Sequence, residues 1–177
     1  KNILVVAESP SGKTTCSLLA SILISLDLET KMRLTFQEGP FALIVVPYRE
    51  QAIELARRLS HLASDLKEKG TETFNGGYPQ LKVCECVGGD TMKEQEDKIR
   101  EGCHIVVGTT GRLLQMLEKG SLLVDQCQLI SLLSYRLVEK DFEDQTNKLM
   151  SELSKAAKNC VRCLYSTNTN QRVQQFC

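Results

Sequence analysis

Six short runs of valine, isoleucine and leucine, each followed by a helical pattern, limit this chain's folds more than any other feature. They lie at residues 2–7, 41–46, 81–87, 104–108, 128–133 and 161–165. Apolar runs without polar alternation are strands covered on both faces, and helical crossovers between them bring every strand back in the same direction. The expected fold class is therefore α/β, a mostly parallel sheet with helices on both faces. Helices are expected over residues 14–26, 49–69, 92–101, 111–119 and 143–158, with a last one opening near Asn170. The second is the clearest, with Ile53, Ala56, Leu59, Ala63 and Leu66 on one stripe and Gly70 as its stop. Residues 27–40 and 70–79 lack periodicity and are expected as surface connections.

A chain of 177 residues suffices for one domain with a full core, so residues 1–177 are expected as a single unit. Lys1 opens directly on a strand without an initiator Met, which suggests a fragment of a longer chain. Lysine plus arginine equals aspartate plus glutamate at 22 each, so nucleic acid would have to be held by a local patch rather than a global field. Eight cysteines scattered among apolar strands, with no leader ahead of them, favour a reducing, cytoplasmic setting. No apolar stretch is long enough to span a bilayer, so no membrane partner is expected.

The first strand breaks into Ala7-Glu8-Ser9-Pro10-Ser11-Gly12-Lys13-Thr14 and then a helix. Strand, loop ending Gly-Lys-Thr, and helix is the layout of a phosphate-binding P-loop. Backbone N–H groups face an anion, Lys13 adds a point charge, and Thr14 offers a hydroxyl to Mg2+. The candidate nucleotide-binding residues are Ala7, Glu8, Ser9, Ser11, Gly12, Lys13, Thr14 and Thr15. Pro10 is the flaw, since it has no N–H for a phosphate and cannot adopt a positive φ. One lost contact of this kind costs about 1–3 kcal/mol, or roughly five- to a hundredfold in affinity. The loop is expected to keep its shape better than it keeps nucleotide.

In such a sheet, ligands sit beyond the carboxyl ends of the strands. Pro47-Tyr48-Arg49-Glu50-Gln51-Ala52, Gly88-Gly89-Asp90 and Thr109-Thr110-Gly111-Arg112 all fall there, pairing glycine or a helix start with groups suited to a sugar-phosphate backbone. Together with the P-loop, these residues resemble the first RecA-like domain of DEAD-box RNA helicases over nearly the whole chain. Pro47 to Ala52 resembles the family's Pro-Thr-Arg-Glu-Leu-Ala, Gly88-Gly89 its paired glycines with Gln95 following, and Thr109 to Arg112 its Thr-Pro-Gly-Arg. The resemblance implies a RecA-like P-loop fold, ATP with Mg2+ as cofactors, and contact with single-stranded RNA through Pro47, Tyr48, Arg49, Gly88, Gly89, Thr109, Gly111 and Arg112. It also implies a second RecA-like domain of the same chain as a partner.

The departures from the family bear on activity. Counting back from Phe142-Glu143-Asp144-Gln145, which resembles the family's Gly-Phe-x-x-Gln region, the Asp-Glu-Ala-Asp box falls on Leu132, Leu133, Ser134 and Tyr135. Both leucines are expected at the strand tip, looking into the pocket that Lys13 guards. Leucine at both places removes the Mg2+ anchor and the carboxylate that positions water, so no catalytic residue is assigned and Mg2+ and ATP binding are expected to be weak or absent. Ser166-Thr167-Asn168 stands where the family has Ser-Ala-Thr. The nearby acids Glu139, Asp141, Glu143 and Asp144 read as the solvated start of a helix, where negative charge is favoured, rather than as replacements.

Cys84, Cys86, Cys160 and Cys163 have a spacing that does not exclude zinc, but both pairs lie on expected core strands and read as buried residues; no metal site is assigned. His61 and His104 read as structural. Tyr48 either stacks a base or fills the gap left by a missing nucleotide. Three readings stay open: a degenerate helicase module that binds RNA or scaffolds an RNA-protein assembly, an active ATP-dependent RNA helicase in a longer protein, and a protein-docking domain without RNA binding. The pattern of losses resembles that in tudor-domain-containing helicase-like proteins of germline piRNA silencing, which implies cytoplasmic granules and silencing-complex proteins as partners.

Overall fold

A computed structural model describes residues 1–35, 38–73 and 77–176, with side chains described except at 69–73, 175 and 176. Six strands form where the apolar runs place them, each within two residues of the expected bounds: β1 (Asn2–Val6), β2 (Ala42–Val46), β3 (Val83–Cys86), β4 (Ile105–Thr109), β5 (Leu129–Leu132) and β6 (Val161–Ser166). All pair in parallel, in the order β1-β6-β5-β2-β4-β3. The helices are α1 (Lys13–Lys31), α2 (Arg49–Thr73), α3 (Met92–Arg100), α4 (Thr110–Glu118), α5 (Lys140–Ala156) and α6 (Gln171–Phe176).

Alternation along each strand divides the core into two layers. Ala42, Ile44 and Val46 of β2, with Ile105 and Val107 of β4, pack against Leu18 and Ile22 of α1 and Ala52, Ala56 and Leu59 of α2. Leu43 and Val45, with Val106, Ile130 and Leu132, pack against Ile99 of α3, Leu113 and Met116 of α4, and Leu149 and Leu153 of α5. β2 is fully buried along its length, as expected of the middle of a covered sheet.

Several expectations need correction. α1 runs to Lys31 rather than Leu26. Leu28 is buried there, Asp27 and Lys31 form an i,i+4 pair at 2.6 Å, and Glu29 meets His104, so the polar tail has reasons to stay helical. α2 passes through Gly70 to Thr73, since a glycine weakens a helix by about 1 kcal/mol without ending it. The buried stripe of α2 is Ala52, Leu55, Ala56, Leu59 and Ala63, while Ile53 faces outward. A 3-10 turn at Tyr135–Val138, not foreseen in the sequence, is capped by the Ser134 hydroxyl, which accepts from Arg136 N–H at 3.1 Å. Of the two expected surface connections, residues 36–37 and 74–76 lie outside the described residues.

The four-cysteine zinc alternative does not hold. Cys84 and Cys86 sit on the edge strand β3, with three strands between it and β6, and Cys163 lies in the opposite core layer from Cys160. Cys84 lies beside Cys103 and Cys127 beside Cys160, while the Cys103 thiol donates to Ile105 O at 3.1 Å and the Cys127 thiol to Leu129 O at 3.3 Å. Among the described residues no group of three or more His, Cys, Asp or Glu is placed to hold a metal. The acidic run opens α5 as expected, with Glu139 preceding the helix and Asp141 and Glu143 in its first turn. Among the described residues no helix is long and apolar enough to cross a membrane.

Candidate functional site

Among the described residues two concavities open at the carboxyl end of the sheet, and β5 and β2, paired side by side, separate them. The smaller, about 150 Å3, is lined by Lys13, Thr14, Leu133, Ser134, Tyr135, Tyr165 and Thr167. The larger, about 540 Å3, is lined by Pro47, Arg49, Gly88, Thr109, Thr110, Gly111, Arg112, Gln115, Phe142 and Gln145.

The small pocket is organised by the loop after β1. Gly12 precedes α1 at φ 80°, a conformation that glycine adopts without penalty, and its carbonyl accepts the first helical bond from Cys16 N–H at 2.8 Å. Lys13 turns back into its own loop. Its Nζ donates to the carbonyls of Ala7 and Glu8, the latter at 2.9 Å, and to the Ser11 hydroxyl at 2.9 Å. Of the eight nucleotide-loop residues named from the sequence, Lys13 and Thr14 line the pocket, while Ala7, Glu8, Ser9, Ser11, Gly12 and Thr15 do not. Thr14 and Thr15 are exposed.

The far wall of the pocket corrects the expectation for the leucine pair. Successive strand residues point to opposite faces, and so Leu132 is buried in the layer under α3, α4 and α5 while Leu133 faces the α1 layer and the pocket. Leu133 N–H donates to Val45 O at 3.0 Å, which fixes the wall to β2. Ser134 and Tyr135 complete it. The β6 loop is closed on itself, the Ser166 hydroxyl donating to Asn168 O at 2.6 Å and accepting from Asn168 N–H at 3.0 Å, and Thr167 reaches the pocket. Tyr165 is buried below, and burial raises its phenol above the ordinary value. Mg2+ needs hard oxygen donors, usually a carboxylate held in octahedral geometry. The lining offers hydroxyls, an ammonium and an aliphatic side chain, so these residues do not fit a resident Mg2+.

In the larger groove the sequence segments do converge. Nη1 of Arg49 donates to Gly88 O at 2.8 Å, and Nη2 lies 3.6 Å from the Asp90 carboxylate. Arg112 donates from Nη1 to Gln95 Oε1 at 2.9 Å and from Nη2 to Asp90 O at 3.2 Å. Gln95, 4% exposed, completes the chain by donating to Val87 O at 3.0 Å. The two arginines are thus fixed on one frame at the ends of β3 and β4. Gly108 at the end of β4 leaves room for the neighbouring strand and for α4, because a Cβ there would stand 2.7 Å from Cys86 O and 2.8 Å from Leu113 Cγ. Tyr48 and Gly89 do not line the groove but flank it, and Tyr48 packs edge-on against Phe142 with ring centroids 5.9 Å apart.

Sequence reasoning did not assign Thr110, Gln115, Phe142 or Gln145 to this groove. The Thr110 hydroxyl donates to Gln145 Oε1 at 3.3 Å, tying α4 to α5. Phe142 and Gln145 are three apart on α5 and share a face, a spacing that could have flagged them together. Gln115 lies three residues from Arg112 on α4, so the same spacing could have flagged it.

A family model described as DEAD/DEAH box helicase matches residues 1–176. DEAD-box ATP-dependent RNA helicase 35A of Oryza sativa subsp. japonica is 32% identical over 177 residues, an alignment covering 99% of this chain and 27% of the relative. The crystal structure of the yeast DEAD-box splicing factor Prp28 superposes with a TM-score of 0.78 at 23% identity, covering 99% of this chain and 39% of that one. A DEAD box protein from Methanococcus jannaschii gives 0.75 at 24%, with 99% and 41% covered. The chain spans about a quarter of the length of the rice relative. Its all-parallel RecA-like sheet and its match along nearly every residue make this chain a member of the DEAD/DEAH box helicase family.

Proposed function

We propose that this chain is a degenerate DEAD-box module that binds single-stranded RNA, or scaffolds an RNA-protein assembly, with ATP hydrolysis weak or lost. The observation that carries the reading is a contrast. Arg49 and Arg112 stand preorganised on backbone carbonyls in an open groove, while the pocket at Lys13 meets Leu133 and Tyr135 where a carboxylate would be needed. Phosphate contacts supply affinity without base identity. Hydrolysis needs a carboxylate to position water and another to anchor metal, and the pocket lining has neither.

In the proposed role Arg49, Arg112, Gly88, Gly111 and Thr109 receive the sugar-phosphate chain, with Gln145 and Thr110 shaping the floor. Lys13 and Thr14 keep the elements of a phosphate cradle, which is the observation favouring a second reading as an active helicase in a longer protein that also holds a second RecA-like domain. Function in piRNA-mediated silencing in the cytoplasm, beside protein partners of a silencing complex, is the cellular setting that the pattern of losses supports. The test is RNA binding at low salt, with and without ATP and Mg2+, alongside phosphate release. ATP-independent binding weakened about tenfold by Arg49→Ala or Arg112→Ala is expected, with phosphate release equal to that of Lys13→Ala. Release above that control would favour the active enzyme, and no binding to RNA would favour a protein-docking domain.

A further inference from the structure

This inference rests on the reading of the larger groove as an RNA track, and asks what part of the RNA it contacts. Tyr48 is the one large aromatic among the described residues that is both strongly exposed, at 42%, and set beside that groove. It follows buried Pro47 at the end of β2 and precedes Arg49 at the start of α2, so its backbone is anchored on both sides. Phe142, which lines the groove, meets it edge to face with the rings at 89°. An aromatic ring left in water exposes apolar surface, whereas a ring held by a second ring is preorganised for a planar partner. One residue away, the Arg49 guanidinium is held by Gly88 O and Asp90. A fixed cation and a fixed π surface one residue apart match the two components of a nucleotide, its phosphate and its base.

We propose that Tyr48 is a stacking platform for an unpaired nucleobase, so that this surface reads a base as well as the backbone. The ligand class is single-stranded RNA with at least one base turned toward the protein. A duplex, whose bases are paired and stacked on each other, would lose this contact. Stacking tolerates any base, so the platform sets a preference for unpaired over paired strands and not for a sequence. It also releases no counterions, so it contributes affinity without salt dependence.

The test compares a short fluorescein-labelled oligouridylate with a strand of equal length built from abasic ribose phosphates, by fluorescence anisotropy. Wild type should bind the base-bearing strand about five- to a hundredfold more tightly than the abasic one. Tyr48→Leu, which keeps apolar cover for Phe142, should bind the two alike with an unchanged salt slope, and Tyr48→Phe should restore the difference. The chain has no tryptophan, so tyrosine emission is observable and should be quenched by the oligouridylate in wild type but less in Tyr48→Leu. Equal binding of the two strands by wild type would overturn the platform while leaving the RNA track standing. Binding of neither strand would overturn both.

Discussion

Gly89 and Arg49 are fitted to each other: a Cβ at position 89 would overlap Nη1 of Arg49, and the glycine backbone there stands at φ +94°. The Arg49 side chain reaches Gly88 O across that gap. Gly89→Ala should therefore destabilise the fold by about 1–2 kcal/mol through the left-handed backbone and also displace the guanidinium. Urea denaturation should record the first effect, and RNA binding weakened about five- to tenfold the second. Arg49→Ala placed in the same background should add little further loss of RNA affinity.

Carboxylates introduced at Leu132 and at Leu133 should meet two different fates. Leu132 is 1% exposed in a packed layer, so Leu132→Asp should cost about 3 kcal/mol or more by burying an unpaired polar group. Leu133 borders the pocket, and Leu133→Glu should cost less than about 1 kcal/mol. Denaturant midpoints for the two variants test this directly. Leu133→Glu alone should leave Mg2+-dependent phosphate release at the level of Lys13→Ala, because position 132 stays apolar.

His104 should make the fold acid-sensitive. Its Nδ1 accepts from Lys82 N–H at 2.8 Å, so Nε2 carries the proton toward Glu29 at 3.1 Å and the ring is neutral. Burial lowers its pKa from the ordinary 6.5, with Glu29 opposing. The unfolded chain then binds a proton more readily than the folded one, so stability is full above about pH 6.5 and declines as pH falls below it, toward the lowered folded value. Chemical melts should show lower stability at pH 5.5 than at pH 7.5, and His104→Gln should flatten that difference.

Cysteine reactivity should follow burial. Cys16 is exposed, whereas Cys84, Cys86, Cys103, Cys127, Cys160 and Cys163 are buried, and burial drives Cys86 up to about 12. In the native protein, among these seven, maleimide should label Cys16 first and the rest only under denaturant. Mass spectrometry of partially labelled protein would show it. Rapid labelling of Cys103 or Cys127 would contradict the packing described for the two thiol pairs.

The order of strands and helices could be read from the sequence because each strand falls in a short run rich in valine, isoleucine or leucine, and a helical pattern separates it from the next. What escaped notice were features set by tertiary contact. The tail of α1 stays helical because Leu28 is buried and Glu29 finds His104 on another element. The turn at Tyr135–Val138 is held by a Ser134 cap and buried Leu137 and Val138, with no periodicity to signal it. In the groove, Arg49, Gly88 and Arg112 were visible as motifs, but Phe142 and Gln145 join them only through the packing of α4 on α5. The opposite facing of Leu132 and Leu133 was legible in principle, since strand parity alone forbids neighbours from sharing a face.

The bond from Leu133 N–H to Val45 O has a mechanical corollary. The partition of one cavity hangs from the strand that delivers Pro47 and Tyr48 to the brink of the other. Whatever occupies the lysine-lined recess therefore rests against backbone bonded to the strand that carries Pro47 and Tyr48, so the two openings share one wall.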